Sequence, residues 1–124
     1  NYSSSPHTTD FNGKSNTAAW VSYYGSSTSS YAPGYCYNFT TAGTSKGDWY
    51  LPAQGELYAS IVTNYSAVSK GISAAGGTQL SSGYWYWSSS EYDYDYAWVV
   101  YANDGTVDWN YKFVDNYVRC VLAF

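Results

Sequence analysis

Apolar residues recur at helical spacing in two places. Thr17, Trp20, Val21 and Tyr24 fall on one helical face, which predicts a helix from about Ser15 to Tyr24. Gly25 follows it as a natural C-terminal cap. Ala53, Leu57 and Ile61 share a second face, with Pro52 suited to the first turn of that helix. Val68 and Ile72 continue the pattern until Gly76-Gly77. Between the two helices, Ser26 to Lys46 is rich in Ser, Thr, Gly and Pro and reads as a loop. Beyond residue 83 the period changes to two. Tyr84 to Ser88 alternates Tyr and Trp, with Trp85 and Trp87 on one face. Ala97 to Ala102 is a second strand with Trp98 and Val100 on one face. Asn103-Asp104-Gly105 is a strong hairpin turn, returning into a strand that carries Val107 and Trp109 on one face. Val118 to Phe124 is apolar on both faces, as a central strand would be. Helices first and strands after predict an α+β domain rather than alternating βαβ units. The whole chain, 1–124, has the size of a single domain.

Composition narrows the function. Charged residues are 11% of the chain and the net charge is −4. The five Lys and Arg are scattered, so no basic patch exists and binding to nucleic acid is disfavoured. No run is long and apolar enough for insertion into a membrane. The start at Asn1 shows neither an initiator Met nor a signal peptide, so the chain reads as a fragment or the C-terminal domain of a longer one. Aromatic residues reach 22%, with 17 Tyr and 6 Trp. So many phenols cannot all find buried partners, and many must be at the surface. Surface Tyr beside Ser, Gly, Asn and Asp is the chemistry of a paratope.

Few residues offer other chemistry. Cys36 and Cys120 match no metal-site spacing. They are either a disulfide, stabilising by ~4 kcal/mol through the long loop it closes, or two buried thiols. His7, the lone histidine, has no catalytic partner in view. Glu56 and Glu91, the two glutamates, could form an acid/base pair but are read as structural. Glu56 is expected to hold loop backbone and Glu91 to end its strand. Arg119 is expected to pair with a carboxylate. The six Trp are read as core or near-core, with Trp85 and Trp109 the two that could instead line a binding face.

Several motifs carry a family resemblance. Gly47-Asp48-Trp49-Tyr50-Leu51-Pro52, followed by Gly55-Glu56-Leu57, resembles a "W-x-L-P-x-x-x-E-L" entry to the second helix. Tyr86-Trp87-Ser88-Ser89-Ser90-Glu91 resembles a "Y-W-S-S-T-E" strand. Ala97-Trp98 and Val118-Arg119-Cys120-Val121-Leu122-Ala123-Phe124 resemble the closing strands, and Asp10 to Thr17 the start of the first helix. Together, over roughly residues 8 to 124, they resemble the C-type-lectin-fold domains of gut bacteria and their phages. Variable proteins of diversity-generating retroelements are among those domains.

The resemblance implies a C-type lectin-like fold, with two helices packed on a small, mostly antiparallel sheet with long loops. It implies a non-enzymatic recognition domain without metal or cofactor. The partner would be a protein or glycan receptor, met from a bacterial cell surface or a phage tail. In such retroelements AAY codons become NNY codons, which never encode Trp, Lys, Glu, Gln or Met. Between Tyr92 and Tyr117 only Trp98, Trp109 and Lys112 fall outside that set. The binding face implied there comprises Tyr92, Asp93, Tyr94, Asp95, Tyr96, Tyr101, Asn103, Asp104, Asp108, Asn110, Tyr111, Phe113, Asp115, Asn116 and Tyr117. Val107 and Trp109 are expected to point inward. The core is expected in Trp87, Trp98, Leu57, Ile61 and the last strand.

Three alternatives stand beside this one. A fixed glycan-binding lectin or pilus-tip adhesin could use the same scaffold. An enzyme of the formylglycine-generating type would need a pair of reactive cysteines. Asp93, Asp95, Asn103, Asp104 and Asp108 could serve calcium, but the Glu-Pro-Asn and Gln-Pro-Asp signatures of calcium-dependent sugar binding are absent.

Overall fold

A computed structural model describes residues 6–25 and 31–122. Helix α1 spans Gly13–Tyr24 and ends with the Gly25 N–H bonded to the Val21 carbonyl at 2.7 Å. Its buried residues are Gly13, Thr17 and Trp20, while Val21 is half-buried and Tyr24 exposed. The inward stripe is therefore narrower than the periodicity predicts. Gly13 has no substitute, since a Cβ there would lie 2.7 Å from the Ala53 nitrogen and the Tyr50 ring and would collide with the Glu56 carboxylate.

The expected loop from Ser26 to Lys46 contains a second helix, α2, over Ala32–Asn38. (Residues 26–30 lie outside the described residues.) With seven residues it is too short to show a periodic pattern. Pro33 pre-sets its first turn, and packing does the rest: Pro33, Gly34 and Cys36 are buried. Cys36 is bonded to Cys120 across 84 positions, which settles the open alternative in favour of the disulfide.

Strand β1 is Trp49–Tyr50. The second predicted helix begins at Gln54, not at Pro52, and is broken in three. Helix α3 is Gln54–Tyr58, a π-helical turn covers Ala59–Thr63, and α4 is Tyr65–Ala74. The Asn64 N–H reaches back five residues to the Ala59 carbonyl at 2.9 Å. That wide turn rotates α4, whose Val68 and Ile72 reach the core only partly buried, whereas Leu57 and Ile61 are fully inside.

Strands β2 (Trp85–Glu91), β3 (Tyr96–Tyr101) and β4 (Val107–Tyr111) form an antiparallel sheet in that order. The Asn103-Asp104-Gly105 segment turns β3 into β4, with Gly105 at φ +76. The β2–β3 ladder is buried on both faces. Trp87, Ala97 and Val99 join Trp20, Cys36 and Leu51 in one core, while Tyr86 and Val100 join Leu57, Ile61 and Leu80 in another. The register of β2 shifts between Trp87 and Glu91, and the freed serines bond elsewhere. Ser88 Oγ donates to the Trp98 carbonyl, and Ser90 Oγ accepts from the Gln54 N–H and donates to Asp10.

The last strand is not central. Among the described residues β5 is Val121–Leu122 and pairs only with β1. Before it, Tyr117 makes a single parallel bridge to Tyr86. Val118 and Cys120 spend their apolar surface on the first core without joining the larger sheet. Among the described residues Arg119 donates to the backbone carbonyls of Thr78 and Gln79 and makes no ion pair with a carboxylate, contrary to the expectation. The architecture is thus α+β, as expected, with more and shorter helices than the pattern alone resolves.

Candidate functional site

Scaffold and surface use their polar groups differently. Where α1, β1 and α3 meet, Glu56 Oε1 accepts from the backbone N–H of Gly13 at 2.8 Å and of Ala53 at 3.0 Å. Its Oε2 accepts from the Tyr50 hydroxyl at 2.9 Å. Burial, then that hydrogen bond, pushes the Tyr50 phenol up to about 12. Thr17 Oγ1 accepts from the Leu51 N–H and donates to its carbonyl. Glu56 is therefore the backbone holder that the sequence predicts.

The loop from Tyr92 to Tyr96 closes on itself. Tyr92 N–H bonds the Tyr96 carbonyl, and Asp93 Oδ1 accepts from the N–H of Asp95 and of Tyr96 at 2.8 and 2.9 Å. Asp93 thus stiffens the loop, and the acceptor expected for a ligand is already engaged. Above this turn the rings form a continuous array. Tyr92 lies flat on Trp109, with centroids 4.3 Å apart, and edge-on to Trp98. Tyr96 packs on Tyr111 at 4.4 Å, and Tyr111 on Phe113 at 5.2 Å. The hydrogen bond that the Tyr96 hydroxyl donates to Tyr111 raises the Tyr96 phenol to about 12. Tyr94 and Phe113 stand out at 70% and 81% exposure.

Trp109 corrects an expectation. Val107 packs inward as predicted, but Trp109 is 43% exposed and belongs to the array. The register places Trp109 opposite Trp98 and Tyr111 opposite Tyr96, on one face of the hairpin. Val100 and Val107 on the same face belong to the second core, but Trp109 does not reach it and supports Tyr92 instead of filling the interior.

The fifteen candidate residues do not converge on one face. Tyr92 to Tyr96, Tyr111 and Phe113 gather at one end of the β3–β4 hairpin. Asn103 and Asp104 are at the other, beside Ile61, Val62 and Tyr65. Hydrogen bonds from Thr106 hold the Asp104 carboxyl below the usual carboxylate range. Asp108 and Asn110 alternate to the face opposite Trp109 and Tyr111, and each accepts from the next residue's N–H. Tyr101 leans on Trp85 at 4.9 Å, and Tyr117 stacks on Tyr84 at 4.1 Å. Asp115 and Asn116 line a separate cavity of about 350 Å³ with Tyr31, Tyr35 and Phe113. The acidic residues weighed for calcium are split between the two ends. Among the described residues no group of three or more His, Cys, Asp or Glu could hold a metal ion.

A trough between α1 and the hairpin end was missed by the sequence reading. It encloses about 540 Å³ and is walled by Trp20, Tyr23, Tyr24 and Tyr94, with Ser89, Glu91 and Lys112 among its polar lining. Lys112 Nζ sits 4.6 Å from the Trp20 ring centre, 5.8 Å from that of Tyr94, and 3.6 Å from Glu91 Oε1. Glu91 does end its strand, but its carboxylate faces this opening. No local signal reveals the trough: Tyr23 and Tyr24 follow Trp20 at i+3 and i+4 on its own side of α1, as core residues would, and meet Tyr94 only through the fold. No thiol is available here or elsewhere, since both cysteines are in the disulfide.

Among curated proteins the chain finds no match, and among solved structures none either. A family model describing the Lcl C-terminal domain matches residues 16–122, from α1 through β5. That match covers most of the chain, so the protein belongs to the Lcl C-terminal domain family and has its C-type lectin-like fold.

Proposed function

We propose that this lectin-like domain is a recognition module whose Tyr/Asp/Asn-rich surface between Tyr92 and Tyr117 is diversified by retroelement mutagenesis. It would bind a protein or glycan receptor from a bacterial surface or a phage tail. The observation that carries the reading is the ring array at the hairpin end, exposed at Tyr94, Tyr111 and Phe113 yet built on a buried ladder. Tyrosine brings wide contact area with few torsions to freeze, and a few such anchors commonly dominate an interface. The three residues in this window that NNY codons cannot encode have supporting places: Trp98 is 4% exposed, Trp109 lies beneath Tyr92, and Lys112 is held by Glu91 and Trp20. Asp115, Asn116 and Tyr117 would extend the surface past Phe113, and Asn103 and Asp104 would form a second patch at the far turn. No helix among the described residues is long and apolar enough to cross a membrane.

The DNA flanking the gene tests the diversification directly. It should contain a reverse-transcriptase gene and a near-copy of the segment encoding residues 92–117 that differs at adenines. Flanks without either would leave a fixed lectin or adhesin on this scaffold.

A further inference from the structure

We propose that the trough between α1 and the β2–β4 end of the sheet binds a neutral sugar ring without calcium. The proposal deepens the recognition reading, on which it rests, by naming a ligand class and the part of the wall that α1 contributes. Three observations carry it.

The first is an unused polar group in the trough. Ser89 lines it and is only 2% exposed, and its Oγ is buried with no hydrogen-bond partner among the described residues. The backbone of Ser89 is fully engaged, its N–H by Pro52 and its carbonyl by the Trp20 indole. Its neighbours Ser88 and Ser90 both have side-chain partners. A buried hydroxyl left unmatched is costly, and a ligand hydroxyl can both donate to it and accept from it.

The second is the wall. Tyr23 and Tyr94 are 67% and 70% exposed, both line the trough, and their side chains hydrogen-bond to each other, so that α1 and the Tyr92–Tyr96 loop share one aromatic wall. The apolar face of a pyranose fits against an aromatic ring while its equatorial hydroxyls meet polar groups at the edge. The volume of about 540 Å³ falls in the range of small-molecule sites, roughly 300–1,000 Å³.

The third is charge. Asp10, Glu91 and Lys112 line the trough, a net of one negative charge, which disfavours sulfated or carboxylated glycans. Asp10 is already occupied by Asn16, Ser90 and the Asn12 N–H. A cationic peptide side chain is disfavoured too, because Lys112 already occupies the face of Trp20. A neutral polyol meets neither repulsion, and the Glu91 carboxylate can accept from its hydroxyls.

The test titrates the whole domain, in the presence of a chelator, with maltotriose, mannotriose, galactotriose and chitotriose. Tryptophan fluorescence and calorimetry report binding, and Trp20 in the wall supplies a local signal. At least one of these saccharides should saturate. Ser89→Ala, which removes a hydroxyl that holds nothing in the fold, should weaken it about tenfold with unchanged melting. Tyr23→Ser and Tyr94→Ser should each weaken it by roughly tenfold or more. Failure of all four saccharides to saturate would overturn the proposal. So would equal affinity in Ser89→Ala and Tyr23→Ser, or displacement of binding by simple addition of a basic peptide. Tyr111→Ser separates the two readings, since Tyr111 lies outside the trough. If it abolishes binding while Tyr23→Ser and Ser89→Ala do not, the trough is wrong and the exposed surface stands.

Discussion

The junction of α1, β1 and α3 and the outer end of the β3–β4 hairpin are both crowded, but with opposite chemistry. At the junction side-chain hydrogen bonds tie the elements together: Glu56 holds two backbone N–H groups and a phenol, and Thr17 bonds Leu51 twice. At the hairpin end the contacts are ring on ring, and Tyr94 and Phe113 face mostly solvent. Hydrogen bonds of the first kind are directional and fail when one atom moves. Ring contacts of the second kind are broad and tolerate replacement. A scaffold of the first sort can therefore carry a surface of the second sort without the two constraining each other.

The contrast can be broken from the scaffold side. The largest effect should come from replacing Cys36 and Cys120 together by Ala. The disulfide joins α2 to the approach of β5 across 84 positions, and its loss should cost about 4 kcal/mol of unfolding free energy in a denaturant titration. A loss well below 1 kcal/mol would mean that the packing of α2 holds without it. Glu56→Ala comes next. It strips the acceptor from Gly13, Ala53 and Tyr50 at once and should cost about 3 kcal/mol, since each orphaned group in a partly buried site is expensive.

Tyr50→Phe sharpens the same point at smaller scale. It removes one hydrogen bond and should cost about 1 kcal/mol at neutral pH. Its pH dependence has a defined sign. The folded phenol titrates at about 12, above the usual value of about 10 for an unfolded tyrosine. The stabilisation from the protonated phenol is complete below pH 10 and is lost as the pH rises through 12. Melting temperature should fall less steeply across that window in Tyr50→Phe than in the parent. Identical slopes would show that Tyr50 is not the group responsible.

Much of the scaffold was legible in the sequence because its signals are local and redundant. Trp20 and Thr17, Leu57 and Ile61, and the Asn103-Asp104-Gly105 turn each combine a period with a cap or turn residue. Helix α2 was hidden because seven residues give no period and its stability comes from burial of Cys36. The π-helical turn was hidden because Ala59 to Thr63 has ordinary helix-compatible residues, and only packing shows the extra one. Apolarity on both faces of Val118 to Leu122 was real, but it reflects burial under two different neighbours rather than a central place in a sheet. The candidate surface was half legible. Composition located the exposed tyrosines, yet hairpin geometry sends Asn103 and Asp104 to the far end and Asp108 and Asn110 to the other face. The α1 wall of the trough was invisible, because Tyr23 and Tyr24 meet Tyr94 only through the fold.

The most direct measurement compares two libraries of the domain. One randomises Tyr94, Asp95, Tyr111 and Phe113. The other randomises Thr17, Gln54, Ser88 and Ser90, which are all buried and hydrogen-bonded. Protease resistance of displayed clones reads the folded fraction in each. Substitutions at exposed positions usually shift stability by less than ~0.5 kcal/mol each, so most clones of the first library should remain folded and few of the second. Equal folded fractions in the two libraries would contradict the account, because the surface and the scaffold would then be one energetic unit.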